Sequence, residues 1–257
     1  MTPPDLSDAY ANAAHIPGGP DFPARLSASA AAFREAHPPE DVPYGAHPRE
    51  RLHLFRPPGT PRGLLLLVHG GYWMAFSASD FSHLARGPLS RGWAVAMPSY
   101  PLCPEATVGG IVRSCATALD LAAERISGPI RLAGHSAGGQ IAARLAGMRL
   151  PCRDRVERAV PISPLSMLAP LRLTAMNATL GLTPEEAAAE SPALHPRPHR
   201  PVTVWVGEAE RPAFRDQALW LSRAWGAALV VEPQRHHFDV IAGLEDPESP
   251  LCEAVAG

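Results

Sequence analysis

The chain has 257 residues, 46% of them hydrophobic, which is enough to bury one sizeable core. A formal net charge of -2 lacks the basic footprint of nucleic-acid binding, so we expect no nucleic-acid partner. All 23 basic residues are arginine, which excludes mechanisms that depend on a lysine amine, such as Schiff-base formation or a Walker A phosphate site.

The first part of the chain, residues 1–45, predicts turns around one helical segment. In "DFPARLSASAAAFREAH", Phe22, Leu26, Ala30 and Phe33 recur at roughly helical spacing, so this helix should pack on the main body. The first 20 residues have neither a basic start nor an apolar signal region, and no stretch of spanning length is free of charge and proline. We therefore expect a cytoplasmic protein without a membrane partner.

From residue 63 onward, buried strands and helices alternate. The predicted strands are "GLLLLVH" (63–69), "GWAVAMPSY" (92–100), "PIRLAGHS" (129–136), "VERAVPIS" (156–163), "VTVWVGE" (202–208) and "AALVVEP" (227–233). The predicted helices cover residues 80–91, 107–127, 138–148 and 212–225. This alternation predicts a single α/β domain over 1–257, with a doubly wound, mostly parallel sheet.

Residues 164–200 form an insertion between two predicted strands that is longer than an ordinary crossover. Thr183 is placed to cap a short helix whose first residue is Pro184. Insertions at the carboxyl end of a strand often cover a site, so we expect a short helical lid.

The motif G-x-S-x-G occurs at residues 134–138, between a predicted strand and a predicted helix. This context is typical of a sharp turn that exposes a nucleophilic serine, here Ser136, and the next amide, that of Ala137, can bind an oxyanion. The stretch "HGGYW" (69–73) follows another strand and offers the amides of Gly71 or Tyr72 as further donors. The alternative is an ordinary diglycine turn with Tyr72 and Trp73 as core aromatics.

An acid and a histidine follow in the chain order that an α/β-hydrolase uses. Glu208 and Glu210 come after the strand that ends near residue 207, and His236 and His237 come after the last strand. Neighbouring residues point to opposite sides, so only one of the two histidines can reach Ser136, whereas alternation does not separate the two glutamates. Both pairs therefore stay open on the residues alone.

No metal ion or cofactor is indicated by the sequence. His195 and His199 have helical ligand spacing, but the prolines at positions 196 and 198 oppose a regular helix between them. Cys103, Cys115, Cys152 and Cys252 lack a C-x-x-C pair, so we expect free, structural thiols.

Taken together, these motifs resemble the arylformamidase (kynurenine formamidase) branch of the α/β-hydrolases. The resemblance extends through "DAYANAAHIP", "HGGYW", "GHSAGGQIAA", "TAMNATLGLTPEEAAAESP", "GEAERPAFRDQ" and "HHFDVI", which together span nearly the whole chain. It implies an α/β-hydrolase fold and a catalytic triad of Ser136, Glu210 and His237, where the branch more often has aspartate as the acid. The residues expected around the substrate are Gly70, Tyr72, Trp73, His135 and Asn177.

The activity that the resemblance implies is hydrolysis of N-formyl-L-kynurenine to L-kynurenine and formate, a step of tryptophan catabolism. A general carboxylesterase for small aryl or alkyl esters would use the same triad, and a non-catalytic binding protein could share the fold. The expected partner is a small-molecule substrate, and a homodimer is compatible with the sequence.

Overall fold

The structure is a computed structural model that describes residues 4–257, so residues 1–3 of the predicted N-terminal segment lie outside it. Its centre is one eight-stranded sheet. The strands are β1 (Glu40–Pro43), β2 (Arg51–Phe55), β3 (Leu64–Val68), β4 (Ala94–Pro98), β5 (Ile130–His135), β6 (Val156–Ile162), β7 (Thr203–Gly207) and β8 (Ala228–Glu232). All six strands predicted from residue 63 onward are confirmed.

The sheet is mostly parallel, in the order β1-β2-β4-β3-β5-β6-β7-β8. Strands β3 to β8 are all parallel to one another. β2 pairs antiparallel with β4, and β1 antiparallel with β2, and the sequence did not predict this antiparallel edge. The carboxyl ends of the parallel strands therefore meet at one edge, where α/β proteins bind their ligands.

Helices cover both faces of this sheet. The α-helices are α1 (Phe22–Ala36), α2 (Ala78–Phe81), α3 (Arg86–Ser90), α4 (Val108–Arg125), α5 (Ala137–Gly147), α6 (Asn177–Leu180), α7 (Pro184–Ala189), α8 (Pro212–Trp225) and α9 (Pro250–Ala256). α4, α5 and α8 pack on one face, and α1, α2 and α9 pack on the other. Accordingly Leu64, Leu66 and Val68 of β3 belong to one core and Leu65 and Leu67 to the other, as its unbroken apolar run predicts.

The predicted helix over 80–91 is wrong as one continuous element. The chain forms α2, a 3-10 turn over Ser82–Ala85, and then α3. Pro88 has no amide hydrogen to donate, so an unbroken helix through this position would lose a backbone bond. The other predicted helices form within two residues of their expected ends, and α9 was not predicted.

The insertion 164–200 consists of short helical pieces, as predicted. They are two 3-10 turns, Ala169–Leu173 and Pro192–Leu194, with α6 and α7 between them. Thr183 accepts a hydrogen bond from the amide of Glu186 and Pro184 begins α7, which confirms the predicted cap. Among residues 4–257, none of the helices combines the length and apolar character needed to span a bilayer.

Candidate active site

Ser136 occupies a strained turn between β5 and α5. Its backbone has φ 57° and ψ -116°, a conformation that is rare for a residue with a side chain. Neighbouring backbones crowd this turn: a Cβ at Gly134 would lie 2.2 Å from the carbonyl oxygen of Gly138, and one at Gly138 would lie 2.1 Å from that of Val68. The two glycines of the motif are therefore required for α5 to start this close to the sheet.

Glu210 and His237 form a buried pair at the same edge of the sheet. His237 Nδ1 donates to Glu210 Oε2 over 2.6 Å, and the two residues are 3% and 5% exposed. The other carboxylate oxygen accepts from the amide of Gly207 at 2.8 Å and from the hydroxyl of Ser163. Since Nδ1 carries the proton that binds Glu210, Nε2 is the ring nitrogen left to accept a proton from a nucleophile.

Glu208 and His236, the alternative acid and base, form hydrogen bonds outside the Glu210–His237 pair. Glu208 is exposed and accepts from the amide of Gln234 at 3.1 Å. The chain turns after β7, so strand alternation does not apply to Glu208 and Glu210. His236 Nδ1 accepts from the amides of Phe238 and Asp239 at 3.1 and 3.2 Å, which closes a local turn.

Free backbone amides lie beside Ser136. Gly71 has φ 108° and Tyr72 has φ 51°, and within residues 4–257 the amides of Gly71, Tyr72 and Ala137 donate no hydrogen bond. A Cβ on Gly70 would lie 3.3 Å from Ser136 Cβ, so this loop approaches the serine closely. The arrangement offers donors to a negatively charged oxygen next to Ser136.

The side chain of His69 stabilises the glycine loop, which is residues 69–73. Its Nδ1 donates to the carbonyl of Gly70 at 2.8 Å, and its ring stacks on Tyr100 with centroids 4.2 Å apart. Burial lowers the pKa of His69 to about 4, so the ring is neutral near pH 7. His69 therefore has a structural role beside the candidate site.

Ser136, His135 and His237 line part of a cavity of about 550 Å³. Elsewhere its wall is largely apolar and aromatic, and Phe22 and Phe238 stack there with centroids 4.5 Å apart. A cavity of this size and character suits a small aromatic ligand.

Part of the wall of this cavity comes from the N-terminal strap, residues 4–21. Ser7 and residues 10–14 of the strap line the cavity, whereas the predicted lid contributes only Ala175 and Met176. The other parts of the insertion pack on α4, α5 and the cores.

Two residues expected around the substrate do not line the cavity. Trp73 is fully buried in the core and its Nε1 donates to Gln140 at 3.3 Å, which confirms the alternative interpretation as a core aromatic. Asn177 accepts from the amide of Leu182 at 2.9 Å and thereby closes the end of α6. Neither residue reaches the cavity wall, and local sequence does not reveal which way a side chain turns.

The other expected residues, Gly70, Tyr72 and His135, do line the cavity. His135 Nε2 donates to the carbonyl of His237 at 2.8 Å, and burial lowers the pKa of His135 well below its usual value. A neutral His135 therefore helps to hold the backbone of His237. Sequence reasoning missed Ser163, although its place directly after β6, at the carboxyl edge, could have marked it.

Residues 65–205, just over half of the chain, match a protein family described as alpha/beta hydrolase fold. The chain belongs to the α/β-hydrolase family. This confirms the fold class inferred from the sequence, and solved hydrolases agree with it. An esterase from the archaeon Pyrobaculum calidifontis shares the fold with a TM-score of 0.71 at 21% identity, over 91% of this chain and 90% of that one.

Two curated relatives are kynurenine formamidases from fish. The enzyme of Salmo salar is 27% identical over 83% of this chain and 79% of its own length. That of Danio rerio is 29% identical over 80% of this chain and 76% of its own length. These matches confirm the resemblance to the arylformamidase branch, and with the family match they identify the chain as a hydrolase.

A protein from Silicibacter sp. TM1040, known from a crystal structure, is more similar to this chain than the two formamidases are. That protein, named as a candidate thioesterase, is 50% identical with a TM-score of 0.95, over 98% of this chain and 99% of its own. The similarity includes nearly every residue of both chains, so the N-terminal strap is part of the shared architecture.

Proposed function

We propose that this hydrolase cleaves N-formyl-L-kynurenine to L-kynurenine and formate, with Ser136 as nucleophile, His237 as base and Glu210 as the acid that orients His237. The observation that carries the proposal is the buried bond of 2.6 Å between His237 and Glu210 at the wall of a cavity that Ser136 also lines. The two kynurenine formamidase relatives support the choice of substrate.

In the proposed reaction, Ser136 Oγ attacks the formyl carbon while His237 Nε2 takes the hydroxyl proton. The amides of Gly71 or Tyr72 and of Ala137 donate to the developing oxyanion. His237 then gives its proton to the aniline nitrogen, the C–N bond breaks, and a formyl ester remains on Ser136. Water, activated by the same histidine, releases formate and restores the serine.

The cavity supports an aromatic leaving group. Phe22, Phe238, Phe76 and Phe81 contribute aromatic surface to its wall. Tyr72, which belongs to the glycine loop, lines the same cavity. Its side chain should leave little room for the acyl group of the substrate. A short acyl group such as formyl fits this arrangement better than a long one.

Ester or thioester hydrolysis is the second candidate, favoured by the relative that is 50% identical and named as a candidate thioesterase. It would use the same triad, so substrate preference alone separates the two functions. A non-catalytic binding protein is the remaining alternative, and it predicts no turnover of any substrate.

The deciding experiment compares kcat/KM for N-formylkynurenine, p-nitrophenyl acetate and its butyryl and hexanoyl homologues. We expect N-formylkynurenine to exceed the acetate ester, and each methylene that does not fit to cost about 1 to 3 kcal/mol. Undetectable formamide turnover together with rising activity towards the longer esters would leave a general esterase on the same residues.

A further inference from the structure

The cavity contains few polar groups besides Ser136 and the two histidines. The remaining polar side chains on its wall are Ser7, Tyr10, Asn12 and Tyr72. Ser7 accepts from the amide of Ala175 at 2.8 Å, Tyr10 OH accepts from Gln217 at 2.8 Å, and Tyr72 OH donates to the carbonyl of Tyr10 at 2.6 Å. Three of the four are therefore already engaged with the protein.

Asn12 is the exception. It is only 7% exposed, and its Oδ1 is buried with no hydrogen-bond partner among residues 4–257. The two ends of an asparagine amide have nearly the same shape, so half a turn about the Cβ–Cγ bond exchanges oxygen and nitrogen at little steric cost. An unpaired buried amide oxygen next to a ligand cavity can gain a partner when a ligand binds, since pairing recovers the free energy lost on burial.

The backbone that carries Asn12 is fixed to the hydrolase body. Tyr10, two residues earlier, binds both Tyr72 of the glycine loop and Gln217 of α8. Arg211, which directly follows Glu210, donates to the Asp8 carboxylate at 2.6 Å. The backbone at Asn12 is thus anchored to the glycine loop, to α8 and to the residue after Glu210, and a polar group on a fixed backbone can discriminate between ligands.

Within the described part of the chain, no aspartate, glutamate or arginine side chain lines the cavity. The neutral amide of Asn12 therefore matches a neutral hydrogen-bonding group. A secondary formamide has one such donor at the reacting centre, its N–H, whereas a formate ester of the same shape has none.

We propose that Asn12 accepts a hydrogen bond from the N–H of a bound formamide and thereby favours formamides over formate esters. The inference rests on the proposed function and deepens it. When Ser136 attacks, the nitrogen becomes pyramidal and its lone pair must turn towards His237 to be protonated. An acceptor for the N–H on the opposite side stabilises that geometry, while an ester oxygen gains nothing from it.

The test compares formanilide with phenyl formate, which differ only in N–H against oxygen. Asn12→Leu keeps the size of the side chain and removes both polar atoms. The matched control is Asn177→Leu, because Asn177 is the other asparagine in the chain and does not line the cavity. We expect Asn12→Leu to lower kcat/KM for formanilide about 10-fold relative to phenyl formate, and Asn177→Leu to leave that ratio unchanged.

An equal loss on both substrates, or no loss on either, would overturn the role of Asn12. If the proposed function itself is wrong, the result differs. The wild-type protein then hydrolyses phenyl formate but neither formanilide nor N-formylkynurenine. In that event, calorimetric binding of formanilide to Ser136→Ala protein, with and without Asn12→Leu, still tests the contact. Binding weakened at least about fivefold supports it, and unchanged binding refutes it.

Discussion

At the scale of single residues, Glu210 is distinguished from Glu208 by its surroundings. Glu210 accepts hydrogen bonds from His237, Ser163 and the amide of Gly207, all within a buried site. Such bonds hold the carboxylate in one orientation. Glu208 is exposed to solvent and accepts from the amide of Gln234 instead of a histidine.

This contrast predicts unequal effects of two matched substitutions. Glu210→Ala should lower kcat by about 10³- to 10⁴-fold, because an unoriented imidazole accepts the serine proton poorly. It should also slow labelling of Ser136 by a fluorophosphonate, whereas Glu208→Ala should change neither. His237→Ala against His236→Ala provides a second pair with the same expectation. If Glu208→Ala or His236→Ala proves as damaging as its neighbour, the proposed assignment is wrong.

At the scale of elements, the start of α5 depends on close backbone contact with β3. A Cβ at Gly138 would lie 2.1 Å from the carbonyl oxygen of Val68 and 2.5 Å from that of His69. Neither oxygen can rotate away, since both belong to the main chain. Gly147, at the other end of the same helix, would meet no atom within 4 Å if it carried a Cβ.

Alanine at these two glycines should therefore have opposite effects on the free energy of unfolding. Gly138→Ala should destabilise the protein by about 1 to 3 kcal/mol, because the helix must shift to relieve the overlap. Gly147→Ala should be neutral or stabilising by up to about 1 kcal/mol, because alanine restricts the unfolded chain. Urea denaturation measures both, and equal changes would show that the contact with β3 does not limit this position.

The N-terminal strap shows how an element far away in the sequence can complete a site. It reaches the cavity wall because it binds α8 and the glycine loop, not because of a pattern within its own residues. Its only regular structure is a pair of 3-10 turns, Ala13–His15 and Gly19–Asp21. The hydrophobic periodicity of the strap therefore does not predict where it packs.

At the scale of the whole molecule, buried neutral histidines link stability to pH. Burial lowers the pKa of His69 and of His83 to about 4 from a usual value near 6.5. In the unfolded chain these groups bind protons below about pH 6.5, whereas in the folded protein they do so only near pH 4. Stability should therefore be complete above pH 6.5 and decrease as the pH falls from there towards 4.

Each of these histidines can contribute about 3 kcal/mol to that decrease at most. His83 lies outside the cavity wall, so His83→Leu tests the effect without altering the candidate site. The variant should lose less stability between pH 7 and pH 4.5 than the wild type, measured by urea denaturation at each pH. An identical loss in both proteins would mean that His83 binds protons equally in the folded and unfolded states.

The sequence by itself determined the class of the fold and the order of the motifs. Apolar runs such as Leu64–Val68 predicted strands buried on both faces because a central parallel strand has no polar side. The glycines around Ser136 predicted a sharp strand-to-helix turn because only residues without a Cβ permit that approach. These are local constraints, and a local pattern is sufficient to express them.

Only the tertiary structure decided which side chains meet. It brought Glu210 to His237 and turned Glu208 outward, placed Trp73 in the core, and used Asn177 to close a helix. It also placed Asn12 at the cavity wall, more than a hundred residues from Ser136 along the chain. Side-chain direction in turns and contacts between distant segments depend on the packing of the whole molecule, and no period within a short stretch of sequence encodes them.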